Sequence, residues 1–242
     1  MPALLFMLPT LRQDLRAQAN PERAKGTLSF FKTGPGQYGE GDKFLGLTVP
    51  QTRAFVTRTD ALTEQDILAL LQSEWHEERL LALFALVRRF EKARKDDATQ
   101  ERLFDLYLTN TRWINNWDLV DTSAPQIVGG WLLNHDRSIL VQLVVSPLLW
   151  ERRIAVLATL TFIRARQFDD TLRLCRALLK DKHDLMQKSC GWMLREVGKK
   201  DEAVLTTFLD LEVLKMPRTM LRYAVERLAP EQRTRYLAQR AP

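Results

Sequence analysis

The segment Trp113-Ile114-Asn115-Asn116-Trp117-Asp118-Leu119-Val120-Asp121-Thr122-Ser123-Ala124 gathers residue types suited to a cationic ligand. Asn115 or Asn116 can cap a helix. Trp117 and Asp121 then lie four apart on one face. An indole face attracts positive charge, and a neighbouring carboxylate supplies the counter-charge. Read alone, the spacing also fits a packed tryptophan beside a solvated or capping aspartate. Two later segments add to it. Trp150-Glu151-Arg152-Arg153 opens one helix, and Lys188, Trp192 and Arg195 fall at i, i+4 and i+7 of another. A cation–aromatic–cation stripe fits a nucleic-acid backbone with an aromatic contact between phosphates. Lysine and arginine stems flanking a half-buried tryptophan give the same pattern. No histidine lies in these segments, since the three are His76, His135 and His183. Cys175 and Cys190 show no metal-ligand spacing, so neither a metal nor a cofactor is expected.

The elements that must position these residues read as helices. Asn20-Pro21 is a cap followed by proline at the first helical position. Thr63 precedes Asp66 by three, much like a capping box. Leu80, Leu83, Phe84 and Val87 repeat along one helix face, as do Leu172, Cys175, Leu178 and Leu179, and Leu221, Ala224, Val225 and Leu228. Pro147, Pro217 and Pro230 punctuate the segments, and Lys32–Gly46, with five glycines, reads as a long loop. Glu78-Arg79-Leu80-Leu81-Ala82 returns as Glu151-Arg152-Arg153-Ile154-Ala155 at an offset of 151 − 78 = 73. Gln187-Lys188-Ser189-Cys190-Gly191 fits the same frame another 187 − 151 = 36 on, with Ala82, Ala155 and Gly191 as the small residues. A period near 36 to 40 with two helices per unit is the HEAT or armadillo pattern. The expected architecture is therefore all-α, an α-solenoid of HEAT-like helical repeats forming a single domain over residues 1–242, with a concave binding face. Asp121, Arg153 and Trp192 are spaced by about one repeat (153 − 121 = 32; 192 − 153 = 39), which would align them along that face.

Composition narrows the class. The chain has 242 residues, 45% of them apolar and 27% charged, which is the balance of a globular protein. Ten glycines and ten prolines are too few for an all-β or a disordered chain. The longest charge-free stretches, Thr122–Asn134 and Ser138–Trp150, are 13 residues each, short of the roughly 18 that a membrane span needs, and read as buried helices. Met1–Pro9 lacks a basic start and a cleavage site, so a cytoplasmic, membrane-free protein is expected. Residues 1–110 carry 15 basic and 15 acidic side chains. Residues 111–242 carry the remaining 36 − 15 = 21 and 30 − 15 = 15, hence the whole net charge of +6. Arginine outnumbers lysine 25 to 11, a pointer toward phosphate.

Four segments in order then resemble one family. Phe44-Leu45-Gly46-Leu47 with Pro50 and Arg53, Asn116-Trp117-Asp118-Leu119-Val120-Asp121, Leu149-Trp150-Glu151-Arg152-Arg153-Ile154-Ala155, and Gly191-Trp192-Met193-Leu194-Arg195-Glu196 are similar to the hallmark segments of the AlkD-type DNA alkylation repair proteins. The resemblance runs from about residue 20 to 235. It implies a HEAT-like-repeat DNA glycosylase that excises purines alkylated at N3 or N7 from double-stranded DNA without flipping the base. Asp121 matches the catalytic carboxylate, Trp117 and Trp192 the two tryptophans at the deoxyribose, and Arg153 the arginine that holds the backbone. Arg152, Lys188 and Arg195 are expected as further DNA contacts, and the protein as a monomer. Asp184 and Leu185 stand where some members carry aromatics, and the loop Thr33–Asp42 is longer than in compact members. The rival expectation is a non-catalytic HEAT-repeat scaffold anchored by Trp117 and Trp192. Such a scaffold has no need for Asp121 beside Trp117.

Overall fold

In the computed structural model, which describes Met7–Gln239, the chain is built from α-helices and short 3-10 turns, with no β-strand among the described residues. It divides between Ser123 and Ala124 into two compact units. The first holds α1 (Met7–Ala17), α2 (Pro21–Phe30), α3 (Val49–Ala54), α4 (Glu64–Leu71), α5 (His76–Lys92), α6 (Asp97–Leu108) and α7 (Trp117–Asp121). The second holds α8 (Ala124–Leu132), α9 (Ile139–Val144), α10 (Leu149–Arg164), α11 (Asp169–Ala177), α12 (Asp184–Lys200), α13 (Glu202–Glu212), α14 (Arg218–Ala224) and α15 (Pro230–Ala238). No helix among the described residues is long and apolar enough to cross a membrane.

Capping sets several boundaries where the sequence places them. Asn20 accepts the Arg23 N–H at 2.9 Å ahead of Pro21, and Thr63 and Asp66 exchange a reciprocal capping box at α4. The charge-free stretches behave differently from one another. Thr122–Asn134 holds the largely buried α8. Ser138–Trp150 is not one buried helix: α9 ends at Val144, and Val141, Val145 and Leu148 are exposed around the turn that Pro147 enforces.

α5 is the centre of the first unit. Leu80, Leu83 and Phe84 are buried as expected, but the burial is not confined to one face: every residue from His76 to Leu86 is buried. Four of these are polar, and each meets partners from outside α5. Glu78 pairs with Arg12 at 2.9 Å and Arg16 at 2.7 Å, both on α1. Glu77 accepts the backbone N–H groups of Leu45, Gly46 and Leu47 at 2.9, 2.8 and 3.2 Å. Arg79 donates to Asp42 at 2.7 Å and to the Ser73 carbonyl at 2.8 Å. His76 turns toward α7. Glu77 thus holds the loop that carries Phe44. Gly46 makes this possible with φ +81°, where a Cβ would sit 2.3 Å from the Asn20 carbonyl oxygen.

The internal repeat is real at the level of atoms. Trp75, Leu148 and His183 precede α5, α10 and α12 in extended conformation. Two residues earlier, Ser73, Ser146 and Asp181 accept their N–H groups through a side-chain oxygen at 3.1, 3.0 and 2.8 Å. The carbonyls of the same three residues accept from the side chains of Arg79, Arg152 and Gln187 at 2.8, 2.8 and 3.2 Å. The offsets are 148 − 75 = 73 and 183 − 148 = 35. The second differs by one from the sequence frame, so Gln187 is equivalent to Arg152, and the buried small residues are Ala82, Ala155 and Cys190. Gly191 has a separate reason: a Cβ there would lie 2.4 Å from the Met220 carbonyl oxygen, where α12 meets α14.

Candidate active site

α7 is a single turn, too short to hold itself by its own hydrogen bonds. Its neighbours in the first unit hold it. Of the two asparagines able to cap it, Asn116 does so: it is fully buried and its Oδ1 accepts the Trp117 N–H at 2.8 Å. Its amide Nδ2 donates to Asp42 Oδ2 at 3.2 Å. Asp118 accepts the Leu119 N–H through Oδ1 at 2.9 Å, and its Oδ2 lies 2.8 Å from His76 Nε2. Just past α7, Ser123 Oγ bonds Tyr107 at 2.9 Å and the Leu119 carbonyl at 2.5 Å. Burial pushes the Tyr107 hydroxyl far up in pKa; the Ser123 bond lowers it, and the negative charge of Asp121 adds to the rise.

Trp117 and Asp121 are half-buried on this turn. The indole stacks on Phe31, with ring centres 5.3 Å apart and planes 19° from parallel. Phe31 stacks on Phe44 at 5.1 Å, and Phe44 on His76 at 4.7 Å. Phe30, 63% exposed, meets Trp117 edge-on at 5.8 Å. The result is a wall of aromatic surface with one solvent-facing end.

Beneath the wall lies a buried charge cluster of Asp42, His76, Arg79 and Asp118. For His76, burial alone would lower the pKa. The Asp118 carboxylate, with help from Asp42, outweighs burial and the repulsion of Arg79, holding the imidazolium up to about 9. For Asp42, burial raises the pKa, but His76, Arg79 and Asn116 lower it further, so the carboxyl stays ionised. Two cations and two anions therefore share one buried space.

The other expected residues belong to the second unit. Arg153, 5% exposed, donates to the Leu185 carbonyl at 2.7 Å and ties the start of α10 to that of α12. Arg152 precedes it on the same helix. Its guanidinium bonds Asp181 at 2.9 Å and the carbonyls of Ser146 and Pro147 at 2.8 and 3.1 Å. On α12, Lys188, Trp192 and Arg195 share the half-exposed face, while Met186, Ser189, Cys190, Met193 and Leu194 form the buried one. Lys188 pairs with Asp184 at 2.6 Å, and Arg195 pairs with Glu226. The Trp192 indole donates to Glu196 at 3.2 Å. Asp184 is exposed at the helix start, where its charge favours the N-terminus, and Leu185 lends its carbonyl to Arg153.

The sequence profile of the DNA alkylation repair enzyme family matches residues 11–228. The chain belongs to this family. A solved structure described as a predicted DNA alkylation repair enzyme from Enterococcus faecalis is similar in fold, with a TM-score of 0.67 at 18% identity over 88% of this chain and 98% of that one. No match emerged among curated proteins. Membership in the DNA alkylation repair enzyme family fixes the broad role, repair of alkylated DNA. Within it, the residues that spacing alone did not reveal are Phe30, Phe31, Asp42, His76 and Arg79, all in the first unit beside α7. The signal available for them was the phenylalanine pair at the edge of the glycine-rich loop.

Proposed function

We propose that this chain is a monofunctional DNA glycosylase that hydrolyses the N-glycosidic bond of cationic N3- and N7-alkylated purines in duplex DNA, without base flipping. The observation that carries the reading is the Trp117–Asp121 pair: an indole and a carboxylate on one surface turn, backed by charges that neutralise one another internally. Alkylation makes the purine a cationic leaving group. Its departure leaves positive charge on deoxyribose, as in glycoside hydrolysis. Asp121 opposes that charge where it develops and orients the attacking water. The faces of Trp117 and Trp192 add cation–π attraction of roughly 0.5–2 kcal/mol each. Arg152, Arg153, Lys188 and Arg195 serve the DNA backbone.

The reading needs no general acid, because the lesion activates its own leaving group. His76 is buried behind the aromatic wall, 2% exposed, and is not available to a substrate as a proton donor. Lys188, with its ammonium on Asp184, is assigned to the backbone rather than to a Schiff base. The test is incubation with a duplex carrying one 7-methylguanine, scoring free base and abasic sites. Release of the base supports the reading. Intact DNA, with a binding affinity unchanged between low and moderate salt, would instead match the protein-binding scaffold, since phosphate contacts release counterions and weaken steeply with salt.

A further inference from the structure

We propose that His76 is a positioning residue for the excision site: clamped between Asp118 and Asp42, it sets the pose of α7 and so of the Trp117 indole and the Asp121 carboxylate. The inference rests on the reading of those two residues given above. Two separate routes lead from the imidazole to Trp117. Along the backbone, His76 Nε2 meets Asp118 Oδ2 at 2.8 Å, and Asp118 follows Trp117 directly in α7. Along the rings, His76 stacks on Phe44, Phe44 on Phe31, and Phe31 on the indole, with centres 4.7, 5.1 and 5.3 Å apart. A third connection runs through Asp42, which lies 3.5 Å from His76 Nδ1 and accepts from Asn116, the cap of α7.

The geometry also fixes the state of the ring. Each nitrogen faces a carboxylate oxygen, and carboxylates only accept. A neutral imidazole has one N–H and would turn a lone pair toward one of them. The imidazolium donates to Asp118 through Nε2 and turns its second N–H toward Asp42 at 3.5 Å, the distance of an ion pair rather than of a hydrogen bond. The charged groups facing it are Asp118 from α7, Asp42 from the loop, and Arg79 from α5 itself. With His76 protonated the four groups sum to zero. Loss of its proton leaves one uncompensated negative charge in a buried space, next to the turn that carries Asp121. Alkaline pH then loosens α7 while the rest of α5, packed on all sides, stays in place.

The experiment labels the protein with 5-fluorotryptophan and follows the Trp117 resonance, assigned by its loss in Trp117→Phe, between about pH 7 and 10. Single-turnover release of 7-methylguanine and duplex affinity are measured over the same range in the parent, His76→Gln and His76→Phe. In the parent, the resonance and the excision rate are expected to change together with a midpoint near 9. In His76→Gln both pH responses vanish. The bound-state excision rate falls roughly tenfold in His76→Gln and roughly a hundredfold in His76→Phe, the scale of a misplaced reacting group, with duplex affinity within about twofold. If His76→Phe does not fold, His76→Gln decides. A Trp117 resonance indifferent to pH and to His76→Gln overturns the proposal, as does a His76→Gln enzyme with the parental rate and alkaline limb. A parent that releases no base while its Trp117 resonance titrates overturns the excision reading and upholds the anchoring of Trp117 by His76.

Discussion

His76 Nε2 lies 2.8 Å from Asp118 Oδ2, joining residues 42 apart in the chain at the base of one surface turn. The pair links fold stability to pH in a definite direction. Folding raises the His76 pKa from 6.5 to about 9. The native state therefore holds a proton that the unfolded chain has released at intermediate pH. The stabilisation, on the order of a few kcal/mol, is complete below about pH 6.5 and is lost as pH rises through 9. Asp42 works the other way. Its lowered pKa gives a contribution present above about pH 3.8 and lost as pH falls through the folded value. Thermal melting should be flat from about pH 5 to 6.5 and decline from there to about pH 9, with His76→Gln removing most of that decline. An alkaline decline identical in parent and His76→Gln would assign it to other groups.

Glu77 offers a second, local test of how the fold holds its site. One carboxylate takes three backbone N–H groups from Leu45, Gly46 and Leu47. Glu77→Gln replaces one acceptor oxygen with a donor facing donors. The expected cost is about 1–3 kcal/mol in denaturant unfolding. Gly46→Ala adds a Cβ 2.3 Å from a backbone carbonyl at φ +81° and should cost more than about 1 kcal/mol. Both changes should also reduce excision, because this loop carries Phe44 beneath the Trp117 stack. Stability unchanged in Glu77→Gln would mean water satisfies the three donors.

Local chemistry was readable in the sequence. The caps at Asn20 and Thr63, the helix of Thr122–Asn134 and the half-exposed stripe of α12 follow from residue types a few positions apart. Asp121 and Trp117 stood out for the same reason. What escaped depends on partners far along the chain. His76 reads as an isolated histidine until Asp118 is opposite it. Arg152 reads as a free cation until Asp181, 29 residues on, takes its guanidinium. The repeat frame slipped by one because an aspartate, Asp181, does the work of Ser73 and Ser146 at the third helix start. α5 resembled a one-faced helix because buried Glu77, Glu78 and Arg79 look like a solvent face when their partners are out of sight.

Asp121→Asn keeps the size and hydrogen bonding of the side chain and removes its charge. If Asp121 opposes the oxocarbenium, base release should fall by roughly a hundredfold or more, the scale of losing one electrostatic contact. Melting temperature and duplex affinity should hardly move, since Asn116, Asp118 and Ser123 hold the turn and the asparagine keeps the shape of the replaced side chain. Excision at the parental rate, with the fold intact, would place the catalytic charge elsewhere.

The charge of the substrate provides the last test. Nothing in the proposed site donates a proton to a leaving base. His76 is enclosed behind Phe31 and Phe44, and its two nitrogens already face Asp118 and Asp42. A lesion must therefore bring its own activation. Duplexes carrying 7-methylguanine or 3-methyladenine should lose the base, whereas hypoxanthine and uracil, neutral and firmly bonded, should remain under the same conditions. Trp192→Ala should slow release of the cationic lesions by about threefold to thirtyfold, the kinetic equivalent of one cation–π contact. It should weaken binding to undamaged duplex much less, because the attraction grows only as charge develops on the sugar. The measurement is single-turnover release set against equilibrium binding for each duplex. Efficient hypoxanthine release would require an acid at the base and would overturn the assignment of Asp121 as an ionised carboxylate acting alone on the sugar.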